Sequence, residues 1–173
     1  MNEREELTLA DVGEDFLSIT DEYHGMSTGD SAVGELRDGA ERNPSHGSLS
    51  DFAEVLKRRT FALATGVLRL FREGRPERYD PAYDVVCKQV IRSATSTGAN
   101  YRAVCRARSD REFYAKLCTV VEECDETIYW LAVALDTELP IDRDRARTLL
   151  TESKELCKIF AKSRSTVRKR LDK

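Results

Sequence analysis

The 173-residue chain has no long apolar run: the longest uninterrupted one, from Ile128 to Leu135, is far shorter than the roughly 20 residues that span a bilayer. That excludes a membrane-spanning helix, and the acidic start of the chain lacks the regions of a secretory leader. Cysteine occurs five times, at Cys87, Cys105, Cys118, Cys124 and Cys157, but never as C-x-x-C. Both histidines, His24 and His46, precede residue 49. A zinc site needs closely spaced Cys and His ligands, so no metal is expected. The cysteines mostly fall on apolar helix faces and read as small buried hydrophobes of a reducing compartment, with no disulfide framework. These absences predict a soluble, cytoplasmic protein without a cofactor.

An excess of one charge is also missing from the total, where 28 Lys+Arg stand against 31 Asp+Glu, a net of −3. The balance hides two unlike parts. Residues 1–48 hold 12 acids and 3 bases, a net of −9, whereas residues 49–173 hold 19 acids and 25 bases, a net of +6. A basic body with an acidic extension points to polyanion or acid binding by the body and a separate role for the extension.

The extension, 1–48, carries six glycines among Ser, Asp and Glu, too little apolar surface to offset the entropy of ordering. It is expected to be a largely disordered solubilising segment. Within it, Leu9, Val12, Phe16 and Ile19 recur at helical spacing, and the competing reading is a docking peptide that orders on a partner.

From Ser50 onward the apolar period is about 3.6 residues through four segments, and no strand alternation competes. The first opens at Asp51 with Glu54 as a capping-box-like pair, places Phe52, Val55, Leu56, Leu63, Val67 and Leu70 on one face, and ends near Arg72. The second starts at Asp80-Pro81, an N-cap followed by proline at the first helical position, and runs to about Ala107. The third opens on the S-x-x-E capping box Ser109 to Glu112 and ends before Leu139-Pro140. The fourth begins around Asp142 and continues into the basic C-terminus. Four amphipathic helices joined by short connections predict an all-α, antiparallel up-down four-helix bundle over 49–173. The run Ser93-Ala94-Thr95-Ser96-Thr97-Gly98-Ala99 is unusually small for a helix interior, and a close helix approach is the favoured reason for it.

On a wheel at about 100° per residue, Lys88, Arg92, Arg102 and Arg106 of the second helix fall within roughly 80°, opposite its apolar stripe. Arg108 and Arg111 extend this ridge, and no acid lies between Asp84 and Asp110. Polyanion binding is the leading reading, with an oligomer contact and plain solvation as alternatives. A second cation cluster, including Lys162, Arg168, Lys169 and Arg170, closes the chain, where the helix dipole favours cations in any case. The third helix is acidic away from its stripe at Glu122, Glu123, Asp125 and Glu126, with Tyr129 and Trp130 beside it. Glu122, Glu126, Tyr129 and Trp130 are therefore candidates for a head-to-tail oligomer interface with the basic ridge, while Trp130 equally reads as an edge of the core. No nucleophile-base pair and no inward carboxylate set is visible, so no enzyme is expected.

The run Gln89-Val90-Ile91-Arg92 through Tyr101-Arg102-Ala103, then Cys105-Arg106-Ala107-Arg108-Ser109, Glu112-Phe113, and Glu122-Glu123 with Asp125 through Leu131, resembles the four-helix-bundle proteins encoded in intervening sequences of bacterial 23S rRNA genes. That family includes the accessory variability determinant of diversity-generating retroelements. The resemblance covers about Asp51 to Val167, and residues 1–48 fall outside it. It implies a non-enzymatic bundle assembled as a homopentamer with a basic surface, which in the retroelement branch binds a reverse transcriptase and nucleic acid. By position, Arg92, Arg102 and Arg106 lie in the family's basic second-helix region, and Asn100 and Glu126 match recurrent polar positions. The expected function is that of an oligomeric accessory protein binding RNA or DNA, with or without a reverse-transcriptase-like partner. The alternative is a protein-interaction adaptor whose acidic extension recruits or masks a partner.

Overall fold

Four helices account for nearly all of residues 49–172, the part of the chain that the computed structural model describes: α1, Leu49–Glu73; α2, Pro81–Val104; α3, Asp110–Asp136; and α4, Arg143–Leu171. The extension, and with it Leu9, Val12, Phe16 and Ile19, lies outside the described residues.

Three of the starts are set by side chains that accept otherwise unpaired first-turn N–H groups. Asp80 accepts from the Ala82 and Tyr83 amides at 2.9 and 3.2 Å. Asp142 accepts from those of Asp144 and Arg145, both at 3.1 Å. Ser109 accepts from Glu112 at 3.2 Å, and the Glu112 carboxylate reaches back to the Arg108 amide at 2.9 Å. The expected cap at Asp51 is corrected. Helix α1 already runs from Leu49, so Asp51 sits inside its first turn, and the Glu54 carboxylate is taken by Lys57 Nζ at 2.6 Å. Helix α2 stops earlier than its pattern predicts. The Arg106 and Ala107 amides bond three residues back, to Ala103 and Val104, so the last turn tightens and Arg106 and Arg108 lie on the connection to α3.

Early positions on one helix meet late positions on its neighbour at Tyr83 with Phe71, at Arg145 with Glu73 and at Tyr114 with Arg168, which runs α1/α2, α1/α4 and α3/α4 antiparallel, and the short connection 105–109 turns α3 back along α2. Tyr83 at the start of α2 donates its hydroxyl to the Phe71 carbonyl at the end of α1. The Ser93 and Thr127 hydroxyls of α2 and α3 lie 3.0 Å apart, and Cys124 Sγ of α3 lies 3.4 Å from the Ser153 carbonyl of α4. The Arg59 guanidinium of α1 holds Glu152 of α4 through two bonds of 2.7 and 3.0 Å. The diagonal pairs α1/α3 and α2/α4 make no close backbone approach, so the helices stand at the corners of a square in chain order.

Leu63, Val67, Val90, Val120, Leu131, Leu156 and Phe160, all buried, fill the centre. Burying each such side chain is worth about 1.5–3 kcal/mol. Phe71 joins this core, whereas Val55, expected on the apolar face, is 38% exposed. The small-residue run of α2 is packing, as favoured from the sequence. Ser93, Ala94 and Thr97 are fully buried, and Gly98 lies against Thr60 of α1, so close that a Cβ there would stand 3.4 Å from the Thr60 carbonyl oxygen. All five cysteines are free thiols. Among the described residues no helix is long and apolar enough to cross a membrane.

Candidate functional site

Antiparallel packing puts the C-terminal ends of α2 and α4 beside the N-terminal ends of α1 and α3. Contacts fix this end of the bundle: Phe52 of α1, and Phe113 and Tyr114 of α3, all pack around Val167 near the end of α4. The two cation clusters, some 60 residues apart in the chain, therefore share one end of the bundle, around the diagonal corners taken by α2 and α4. Arg102, Arg106, Arg108 and Arg111 come from the α2–α3 corner and Lys162, Arg168, Lys169 and Arg170 from the last turns of α4.

Dividing each helix near its midpoint shows the scale of this segregation. The half made of residues 49–61, 93–122 and 157–172 carries 14 Lys/Arg and 6 Asp/Glu, and the half made of 62–92 and 123–156 carries 10 and 13. A body of modest net charge is thus polar along its axis, with one strongly basic end. Like charges gathered at one end raise the local potential there and attract a polyanion.

The cations differ in how much of their charge the chain itself consumes. Arg102, Arg106, Arg111, Lys162 and Lys169 are exposed, and no acid among the described residues lies within ion-pair distance of them. Arg108 lies 3.6 Å from Glu112, whose carboxyl is held below its ordinary range mainly by the Arg108 backbone N–H. Arg168 bonds Asp172 at 3.1 Å, and its guanidinium stands 6.0 Å from the Tyr114 ring centroid. Tyr114, with Lys57 and Arg58 on the first turns of α1, belongs to this end and was missed by a wheel drawn for α2 alone. The signal that finds them is the short-loop topology, which places the starts of α1 and α3 beside the end of α4.

Lys88 and Arg92, the N-terminal members of the ridge, lie in the other half. Arg92 is not a free outward cation. Its guanidinium binds Glu126 of α3 and approaches Glu123 at 3.5 Å. The Glu126 carboxyl is lowered, chiefly by the Arg92 bond, and also accepts from Trp130 Nε1 at 3.2 Å. Glu123 is shifted upward by partial burial. The acid and the base that the sequence offered as faces of two different copies thus meet within one chain, because α2 and α3 are neighbours. Trp130 is half-buried against the core, as an edge residue, and Tyr129 packs edge-on to it at 4.9 Å while staying 58% exposed. Glu122 is exposed.

A cavity of about 320 Å³ lies at the opposite end around Arg75, Arg78, Tyr79 and Asp80 in the α1–α2 connection. Among the described residues no group of three or more His, Cys, Asp or Glu is gathered as a metal site.

Residues 57–162 match the model of the 23S rRNA-intervening sequence protein family. A crystal structure of a protein of unknown function from the S23 ribosomal protein family of Bacteroides thetaiotaomicron VPI-5482 is similar, with 30% sequence identity and a TM-score of 0.56, over 67% of this chain and 97% of that one. No curated protein matches the chain. The matched residues run from the third turn of α1 into the second half of α4, so sequence and architecture agree that the chain belongs to the 23S rRNA-intervening sequence protein family.

Proposed function

We propose that this chain is a non-enzymatic cytoplasmic accessory protein that holds RNA or DNA at the basic end of its bundle. The observation that carries the reading is that the α2–α3 and α4 cations share one end of the bundle, five of them exposed and without an acid partner among the described residues. Side chains of this kind neutralise phosphates without reading bases, so the binding is sequence-tolerant and strongly weakened by salt. Tyr114, half-exposed beside Arg168, offers a ring on which an unpaired base can stack. Self-assembly, as a pentamer, and a reverse-transcriptase-like partner come into this proposal from the family resemblance. The exposed apolar side chains Leu68 on α1 and Tyr129 on α3, with Phe61 at the middle of α1, support a protein contact beyond the basic end.

The test compares two full-length chains with equal changes in net charge. One carries Arg102→Glu, Arg106→Glu, Lys162→Glu and Lys169→Glu at the basic end; the other carries Arg69→Glu, Arg72→Glu, Arg143→Glu and Lys154→Glu at the opposite end. Fluorescence anisotropy of a labelled 20-nucleotide RNA at low salt is expected to show a loss of about 100-fold or more for the first and far less for the second. Circular dichroism checks that both fold. Equal losses would mean that total charge, not the basic end, governs binding. An intact-mass measurement of a single chain at micromolar concentration would contradict self-assembly.

A further inference from the structure

The described residues give the acidic extension a point of attachment. Residues 1–48 join the bundle at Leu49, and the first turns of α1 stand at the basic end, where Phe52 packs with Val167 of α4. A segment of net charge −9 is therefore tethered at the rim of the surface where 14 Lys/Arg face 6 Asp/Glu. Resting on the reading of that end as a polyanion site, we infer that residues 1–48 occupy it in cis and compete with nucleic acid for the same cations.

Reach does not limit the contact. A 27-residue helix such as α3 is about 40 Å long, and 30 extended residues span more than twice that. Charge decides the destination instead, because the opposite half of the bundle, with 13 acids against 10 bases, repels the extension. The stretch from Leu9 to Ile19 interleaves its apolar residues with Asp11, Glu14 and Asp15, so its acids and its apolar side chains arrive together.

Covalent attachment supplies an effective concentration on the order of millimolar. An intrinsic affinity as weak as about 10⁻⁴ M, ordinary for non-specific polyanion contacts, then weakens nucleic-acid binding about tenfold. Nucleic acid that presents more phosphates than the extension has carboxylates displaces it, so long polymers are favoured over short ones.

Two measurements on the full chain test this. In the first, six acids of the extension are neutralised (Glu5→Gln, Glu6→Gln, Asp11→Asn, Glu14→Gln, Asp15→Asn and Asp21→Asn) and binding of the 20-nucleotide RNA is compared with wild type. About tenfold tighter binding at 50 mM salt, shrinking towards equality at 300 mM, is the expected result; equal binding at both salts overturns the inference and leaves the nucleic-acid reading standing. In the second, a carbodiimide joins carboxylates to lysines in the wild-type chain without RNA, and mass spectrometry locates the links. Links from residues 1–48 to Lys162 and Lys169 that vanish at high salt support the contact, even if neither chain binds RNA, an outcome that would defeat only the nucleic-acid reading. Links spread equally to Lys88 and Lys154, or unaffected by salt, overturn it.

Discussion

Glu126 shows how a single side chain can be spent inside the molecule rather than on a partner. Its carboxylate accepts from Arg92 across the α2–α3 seam and from the Trp130 indole one turn on, and the Arg92 bond is the main cause of its lowered pKa. A carboxyl whose folded pKa lies below its unfolded value adds stability above the unfolded value, near 4.5, and loses it as pH falls through the folded value. Glu126→Gln should therefore lower stability slightly at pH 7 and shrink the loss between pH 5 and pH 3. Urea denaturation at both pH values checks this. Glu123, shifted upward, contributes in the opposite sense, and an unchanged acid limb in Glu126→Gln would show that the Arg92 pairing does not hold in solution.

Helix ends were the most legible elements because their signals are local. Asp80, Ser109 and Asp142 cap α2, α3 and α4 through bonds spanning two or three residues, so spacing alone located them. The Asp51 reading failed because an acid three residues before a glutamate also suits a first turn that has already begun. Connections between helices were less legible, since their geometry depends on what they cross. Glu138, after the α3 C-cap, is the lone non-glycine among the described residues with a positive φ, of 52°. That conformation costs a residue with a Cβ about 1 kcal/mol, so Glu138→Gly should raise stability by a comparable amount in thermal or chemical unfolding. Gly74, at the end of α1, faces this same connection, and a Cβ there would lie 2.4 Å from the Pro140 carbonyl oxygen, which is backbone and cannot swing away. Gly74→Ala is expected to destabilise by about 1–3 kcal/mol. If both substitutions proved neutral, the packing of the α3–α4 connection on α1 would be wrong.

The whole molecule differs from the sum of its helices in where its charge ends up. A wheel drawn for α2 found a basic ridge, and a count along α4 found a basic terminus, but neither shows that the two share one end of the bundle. Antiparallel order puts Arg102, Arg106, Lys162 and Lys169 at the same end, and leaves Lys88 and Arg92 in the more acidic half. The four-helix architecture was readable from period and loop length. The site was readable only in pieces, because ion pairs such as Arg92 with Glu126 and Arg59 with Glu152 are made across helices. Binding strength therefore follows the number of phosphates that the basic end neutralises. The most direct measurement is the salt dependence of RNA affinity in wild type and in the chain reversed at Arg102, Arg106, Lys162 and Lys169. A site neutralising about five phosphates of single-stranded RNA predicts a wild-type slope of log K against log salt near −3.5, collapsing towards zero in the reversed chain. The same slope in both, or a wild-type affinity indifferent to salt, would contradict the account.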